Sequence, residues 1–130
     1  MKIAVHVTGS PYSQQSNLTA LRFCQAVIQE GKQLSRVFFS GDGVHSATNL
    51  AIAPQDEADL YAEWQELALK HDVDLVVCIS ACLRRGIINE EEAQRYEKTN
   101  HNLKQGFVLS GLGQLVEASI ECDRLVTFGS

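Results

Sequence analysis

The most hydrophobic run of the chain is Asp-Leu-Val-Val-Cys-Ile at residues 74–79. A short β-branched run that is bounded by polar residues is typical of a parallel strand buried on both faces. This run therefore predicts a sheet that is covered by helices on both sides, which is the architecture of an α/β protein.

The rest of the chain alternates between strand-like and helical patterns. Strand patterns precede and follow the hydrophobic run, at residues 2–8, 33–39, 107–109 and 124–128. The resulting β-α-β-α-β-α-β-α-β order predicts a mostly parallel, five-stranded sheet. We expect one domain over residues 1–130, a three-layer sandwich with helices on both faces of the sheet.

Helical spacing of apolar residues marks the connections between these strands. The first helix is predicted from Ser16, as its N-cap, to a stop at Gly31, and a second begins near Asp56. An acidic run at residues 90–92 is expected to cap or solvate another helix start. The last helix is predicted over residues 110–121, with these residues facing inward: Leu112, Leu115, Val116 and Ala118.

Length and cysteine content limit how the chain is stabilised. With 130 residues and 45% hydrophobic residues, the chain can bury a core without disulfides or a metal. The four cysteines show no C-x-x-C motif and no Cys/His spacing of the zinc-binding kind. We therefore expect Cys24 and Cys122 to be small buried hydrophobic residues.

Charge and hydropathy exclude some classes of function. A net charge of −5 argues against direct binding of nucleic acid, because such proteins usually carry a basic stripe. The apolar stretch at the N-terminus is too short for a signal peptide, and no stretch approaches the length of a membrane span. A cytoplasmic protein with reduced thiols and no membrane contact is expected.

Cys78 is the candidate catalytic residue. It lies where the buried strand is expected to give way to a helix, at the edge where open α/β sheets place their chemistry. Arg84 and Arg85 follow closely and can either favour a thiolate or help dock an acidic partner. The alternative is an inert cysteine in a hydrophobic strand. Cys82 is a weaker candidate for a resolving thiol, since the recurring redox motif is C-x-x-C rather than C-x3-C.

Two other regions offer weaker candidates for chemistry. The turn at residues 8–16 combines glycine with hydroxyl side chains before a helix, which suits either a flavin or nucleotide phosphate or an ordinary connection. His45 lies in a glycine-rich loop that can approach the sheet edge, but no His/Asp pair is recognisable. The glycine-rich segments at residues 41–44 and 109–115 either shape a pocket around Cys78 or simply form tight turns.

Several runs together resemble the DsrE/TusD family of sulfurtransferase subunits. They occur in order over essentially the whole chain: Arg36-Val37-Phe38-Phe39, Asp42-Gly43-Val44, Pro54-Gln55-Asp56, Leu83-Arg84-Arg85-Gly86-Ile87 and the segment at residues 109–118. The resemblance implies a DsrE-like fold and a subunit that carries a persulfide on Cys78. No cofactor and no metal are expected.

The same resemblance implies partners and a pathway. It implies a heterohexamer with TusB- and TusC-like subunits, a TusA-like sulfur donor and a TusE-like acceptor. The relay would end in 2-thiolation of the tRNA wobble uridine. Family members often have alanine where this chain has Cys82, so an essential role for that thiol is not expected. Three alternatives stay open: a DsrE-type role in sulfur oxidation, a flavodoxin-like flavin-binding module, and a purely structural subunit.

Overall fold

A five-stranded parallel sheet forms the centre of the protein. The computed structural model describes residues 1–129, and Ser130, the last residue of the predicted domain, lies outside them. The sheet has the order β4-β3-β2-β1-β5, and every neighbouring pair is parallel. The strands are β1 (Lys2–Val7), β2 (Gln33–Phe39), β3 (Asp74–Cys78), β4 (Phe107–Ser110) and β5 (Arg124–Phe128). The predicted α/β sandwich is confirmed.

Helices fill the connections between the strands. They are α1 (Gln15–Gln29), a 3-10 helix (Gly41–Ala47), α2 (Leu60–His71), α3 (Ile79–Arg84), α4 (Glu90–Arg95) and α5 (Gly113–Glu121). The steps from β1 to β4 all run in one direction across the sheet, and the step from β4 to β5 runs back. Right-handed crossovers therefore place α1 to α4 on one face and α5 on the other.

The face under α1 and α2 is densely packed. Phe39 meets the ring of Trp64 edge-on at 5.0 Å between centroids, and Trp64 is fully buried. The indole N–H of Trp64 donates to Oδ1 of Asn17 at 3.0 Å. The Asn17 amide in turn donates to the carbonyl oxygen of Gly9 and to the hydroxyl of Ser46. Each of these buried polar groups therefore has a hydrogen-bond partner, which offsets the free-energy cost of burying it.

The face under α5 is less completely covered. Arg36 holds α5 against the sheet by donating from Nη1 to the carbonyl oxygen of Gln114 at 3.0 Å. Ala118 is the buried residue of α5, while Leu112 and Val116 are more than half exposed. The expectation that Leu112 and Val116 face inward is therefore wrong. Ala118 is small enough to let the helix backbone approach the sheet, and Leu115 packs partly buried against the core, so the inward orientation expected of these two residues is confirmed.

Several predicted element boundaries also need correction. Helix α1 begins two residues earlier than expected, with Gln14 rather than Ser16 at the N-cap. Helix α2 begins at Leu60, because the Asp59 side chain accepts a hydrogen bond from the N–H of Ala62 at 3.1 Å. Ile79 belongs to the apolar run that was expected to form a strand, but it is the first residue of α3. Residue 110 was expected to begin the last helix, but it is the last residue of β4.

Within residues 1–129, no helix is both long and apolar enough to cross a membrane.

Candidate functional site

The candidate site lies where β3 and β4 end side by side. Cys78 is the last residue of β3, and it pairs with Ser110, the last residue of β4. The connection after β3 leaves on the α1 side of the sheet, and the connection after β4 leaves on the α5 side. Such a point, where neighbouring crossovers diverge, opens the crevice in which α/β proteins bind ligands. The sequence-based position of Cys78 at this edge is confirmed.

The thiol of Cys78 sits in front of the first turn of α3. Cys78 has extended backbone angles (φ −62°, ψ 119°), and the helix begins at the very next residue. Its Sγ atom lies 3.4 Å from the hydroxyl of Ser80. The first N–H groups of a helix have no partner within the helix, so those of Ser80 and Ala81 are free to donate to the sulfur. The residue is 6% exposed.

These surroundings change the acidity of the thiol. Burial of Cys78 raises its pKa, but the hydrogen bonds from the Ser80 hydroxyl and from the N–H groups of Ala81 and Ser80 act in the opposite direction. The positive charge of Arg84 adds to them. The net effect is a pKa below the usual value of a cysteine thiol. A lower pKa raises the thiolate fraction at neutral pH, which is the form that reacts.

The two arginines after the thiol have different roles. Arg85 donates from Nε to Oδ1 of Asp42 and from Nη1 to the carbonyl oxygen of Ala81, both at 3.0 Å. It therefore ties α3 to the 3-10 helix. Arg84 lies four residues after Ser80, on the same face of α3, and forms no ion pair within residues 1–129. Of the two, Arg84 is the one that stabilises the thiolate.

The other cysteines differ sharply from Cys78. Cys82 is fully buried, and burial raises its pKa to about 12. Cys24 is also fully buried, with its pKa likewise raised to about 12. Cys122 is half-buried, with its sulfur 3.1 Å from the hydroxyl of Ser35. All four cysteines are free. Cys82 thus has the environment of a core residue rather than of a resolving thiol.

The glycine-rich loop approaches the site without contributing a base. Residues 41–47 form the 3-10 helix, and its His45 has no hydrogen bond to Cys78 in the described part of the chain. Gly43 has a packing role: a Cβ there would lie 2.4 Å from the carbonyl oxygen of Val7. The loop therefore closes tightly against the end of β1, and a Cys-His pair is not formed.

The first turn offers few free donors for a phosphate. The backbone N–H of Ser10 donates to Oε1 of Gln14 at 2.8 Å, and the N–H of Gln14 returns a hydrogen bond to the carbonyl oxygen of Ser10. Thr8 donates its N–H to the carbonyl oxygen of Phe128. Because these groups are already paired, the turn has the character of an ordinary strand-to-helix connection. Among residues 1–129, no cluster of three or more His, Cys, Asp or Glu residues is placed to hold a metal ion.

Sequence reasoning missed Ser80 as part of the site. The signal was present, since a hydroxyl two residues after a strand-end thiol falls in the first turn of the following helix. It was missed because the sequence pattern does not fix the residue at which the helix begins, and the direction of the Ser80 side chain depends on that start.

Comparisons with known proteins agree with this description. The sequence model of the DsrE/DsrF-like family matches residues 1–128. Among solved structures, the ychN protein of E. coli superposes with a TM-score of 0.77 at 22% sequence identity, over 98% of this chain and 99% of that one. MTH1491, a protein of unknown function from Methanobacterium thermoautotrophicum, gives a TM-score of 0.66 at 15% identity, over 96% and 97% of the two chains. At these identities the two structures show a shared fold.

Proposed function

Because the chain belongs to the DsrE/DsrF-like family, we propose that it is a sulfurtransferase subunit that carries a persulfide on Cys78. Membership of the family indicates a role related to sulfur relay. The observation that carries the proposal for this chain is the acidity of the Cys78 thiol. Cys78 has a lowered pKa at the crevice between β3 and β4, whereas the pKa values of the buried Cys24 and Cys82 are raised.

Two substitutions at sulfur make up the proposed reaction. In the first, the Cys78 thiolate attacks the outer sulfur of a donor persulfide, forming Cys78–S–SH and releasing the donor as a thiolate. In the second, an acceptor thiolate attacks the outer sulfur of Cys78–S–SH and releases the Cys78 thiolate. Each step forms one S–S bond and breaks another, so neither an external oxidant nor a cofactor is needed.

The neighbours of the thiol assist both steps. Ser80 and Arg84 stabilise negative charge on the sulfur, which raises the concentration of the attacking thiolate in the first step. In the second step the same sulfur is the leaving group, and a thiolate of lower pKa leaves faster. The small exposed fraction of Cys78 also limits access by oxidants, which slows loss of the bound sulfur.

The pathway is proposed to be the cytoplasmic relay for 2-thiolation of the tRNA wobble uridine. In it, the chain is a TusD-type subunit that assembles with TusB- and TusC-like subunits, accepts sulfur from a TusA-like donor and passes it to a TusE-like acceptor. An apolar stripe along α5 supports assembly with other subunits: Leu112, Val116 and Ile120 are all more than half exposed. The net charge of −5 supports a role without direct tRNA contact.

A DsrE-type role in sulfur oxidation is the second candidate, and the family match to DsrE/DsrF-like proteins supports it. The chemistry at Cys78 would be the same, and only the donor and acceptor would differ. Neighbouring genes separate the two pathways. Genes for dissimilatory sulfite reductase beside this gene would favour oxidation, and tRNA-thiolation genes would favour the relay to tRNA.

The proposed chemistry is tested by incubating the protein with a persulfide donor and measuring its intact mass. We expect wild type to gain the mass of one sulfur atom and Cys78→Ser to gain none. Cys82→Ser is the matched control, since it removes a thiol four residues away and should load like wild type. Equal loading of wild type and Cys78→Ser would refute the proposal.

A further inference from the structure

A cleft opens beside α3 on the side of Arg84. It has a volume of about 660 Å³ and lies between the end of α3 and helix α4. This volume is within the range of ligand-binding pockets in proteins. Apolar and charged side chains line it together, and those that matter here are Leu83, Arg84, Ile88, Glu92, Tyr96 and Lys98.

One face of α3 carries both Arg84, which lines the cleft, and Ser80, which lies beside the thiol. Ser80 contacts the sulfur of Cys78 at 3.4 Å, and Arg84 follows Ser80 by one helical turn on the same face. Long side chains on a helix point back towards its N-terminus, which in α3 is the end that carries the thiol. A molecule that contacts Arg84 in the cleft therefore lies beside the face of α3 that carries the thiol at its N-terminal end.

The walls of the cleft are fixed by hydrogen bonds. The side chain of Asn102 accepts from the N–H of Ile88 at 2.9 Å and donates to the carbonyl oxygen of Gly86 at 3.0 Å. On the other side the chain turns at Glu97, which has a positive φ of 57°, and the N–H of Lys98 then donates to the carbonyl oxygen of Ala93 at 2.8 Å. The cleft is thus formed before anything binds, which reduces the ordering cost of binding.

The charges of the cleft indicate what it binds. Arg84 and Lys98 form no ion pair within residues 1–129, although the chain as a whole is acidic. Glu92 is 5% exposed; within residues 1–129 its buried Oε2 has no hydrogen-bond partner, while Oε1 lies 3.5 Å from Nη1 of Arg95. Glu92 therefore adds one largely buried negative charge to the lining, and Arg95 lies beside it. The cleft itself offers two more exposed cations, Arg84 and Lys98, next to an apolar lining.

We propose that this cleft docks an acidic polypeptide segment of the protein that exchanges sulfur with Cys78. Carboxylates of the segment pair with Arg84 and Lys98, and an apolar side chain covers Leu83 and Ile88. A small inorganic anion would supply only the first of these interactions. The inference rests on the proposed function, and it adds the chemical class of partner that the site selects.

Two synthetic peptides of equal length test the inference. Each carries one cysteine activated as a pyridyl disulfide, flanked by Glu and Leu in one peptide and by Lys and Leu in the other. The Cys78 thiolate attacks the peptide sulfur, forms a mixed disulfide and releases pyridine-2-thione, whose absorbance gives the rate. Each rate is divided by the rate of the same protein with the uncharged reagent dithiodipyridine, which removes differences in thiol reactivity.

We expect the acidic peptide to react about tenfold faster than the basic one at low salt, with the ratio falling as salt rises. Lys98→Glu should bring the ratio close to one. Lys70→Glu is the matched control, because Lys70 lies in the last turn of α2, before β3 begins, and its one ion pair within residues 1–129 is with Glu66. It should keep the wild-type ratio. A wild-type ratio near one, or an unchanged ratio in Lys98→Glu, would overturn the inference.

Persulfide loading from a small-molecule donor, measured in parallel, separates the two proposals. Loading of Cys78 without peptide discrimination would reject the docking cleft and leave the proposed function standing. Peptide discrimination without any loading would reject the proposed function while supporting the cleft.

Discussion

Cys78 and Cys82 are four residues apart, yet one turn of helix separates two different chemical environments. Cys78 stands in front of α3, where backbone N–H groups and the Ser80 hydroxyl point at its sulfur. Cys82 lies inside the same short helix and faces the core, fully buried. Its pKa is raised to about 12, whereas that of Cys78 is lowered.

The difference shows that burial alone does not decide the reactivity of a thiol. Both residues are buried, and burial raises both pKa values. At Cys78 the free donors of a helix start outweigh that effect. At Cys82 the neighbouring backbone donors are engaged elsewhere, since the N–H groups of Arg85 and Ile87 both donate to the carbonyl oxygen of Cys82 at 3.0 Å. Position relative to the helix start therefore separates the two thiols.

Alkylation of the native protein tests the comparison with the largest expected effect. With iodoacetamide at neutral pH, Cys78 should react at least about a thousandfold faster than Cys82, because only the thiolate reacts and a pKa near 12 leaves very little of it. Mass spectrometry of digested samples taken over time measures both rates. Comparable alkylation rates at Cys78 and Cys82 would contradict the difference in pKa between the two thiols.

Serine substitution should lower stability more at Cys82 than at Cys78, although Cys78 is the more reactive thiol. Cys82→Ser places a hydroxyl in the core, and we expect it to lower the free energy of unfolding by about 1–3 kcal/mol. Cys78→Ser keeps polar neighbours for its hydroxyl and should change that free energy by less than about 0.5 kcal/mol. Urea denaturation measures both values. A larger loss for Cys78→Ser would contradict the assigned environments.

The pH dependence of alkylation identifies the groups that activate Cys78. Its thiolate is lost as the pH falls through its lowered pKa, so a variant with a higher pKa reacts more slowly at pH 7. Both Ser80→Ala and Arg84→Gln should raise the midpoint, and Ser80→Ala should raise it more, because the hydroxyl contributes more than the distant charge. Arg85→Gln serves as the control and should leave the midpoint unchanged. If Arg85→Gln shifted the midpoint as much as Arg84→Gln, the total charge of the protein, and not the position of Arg84, would determine the pKa of Cys78.

The smallest effect is expected at the ion pair that anchors α3 to the 3-10 helix. Asp42→Asn removes the partner of Arg85, and we expect a loss of less than about 1 kcal/mol, because the Asp42 side chain is 59% exposed. The alkylation rate of Cys78 should stay within about twofold of wild type. A large drop in that rate would place the Asp42–Arg85 pair among the determinants of the reactive thiol.

The sheet and the position of Cys78 could be predicted because the information is local. Apolar runs mark the strands, and their alternation with helices makes the sheet parallel, so the carboxyl ends of the strands lie at one edge. The orientation of α5 was not predictable in the same way. Its periodic apolar residues suit either side, and the small Ala118 rather than Leu112 or Val116 turned out to face the sheet.

The finer features of the site depend on side-chain directions that sequence patterns do not specify. Consecutive helical residues differ in direction by about 100°, so only the helix start tells which arginine serves the thiol. Once α3 is known to begin at Ile79, Arg84 falls in line with Ser80, and Arg85 turns towards Asp42. The acidic run at residues 90–92 does occupy the first turn of α4, as expected for a helix start, but the sequence did not indicate that Glu92 is buried and lines a cleft.

Locating the sulfur within one peptide tests the central claim most directly. After wild type is loaded from a persulfide donor, trapped by alkylation and digested with trypsin, one peptide carries both Cys78 and Cys82, because no lysine or arginine lies between Lys70 and Arg84. Fragmentation of that peptide in the mass spectrometer assigns the added sulfur atom to one of the two residues. We expect it on Cys78 alone. Sulfur on Cys82, or on neither residue, would contradict the account.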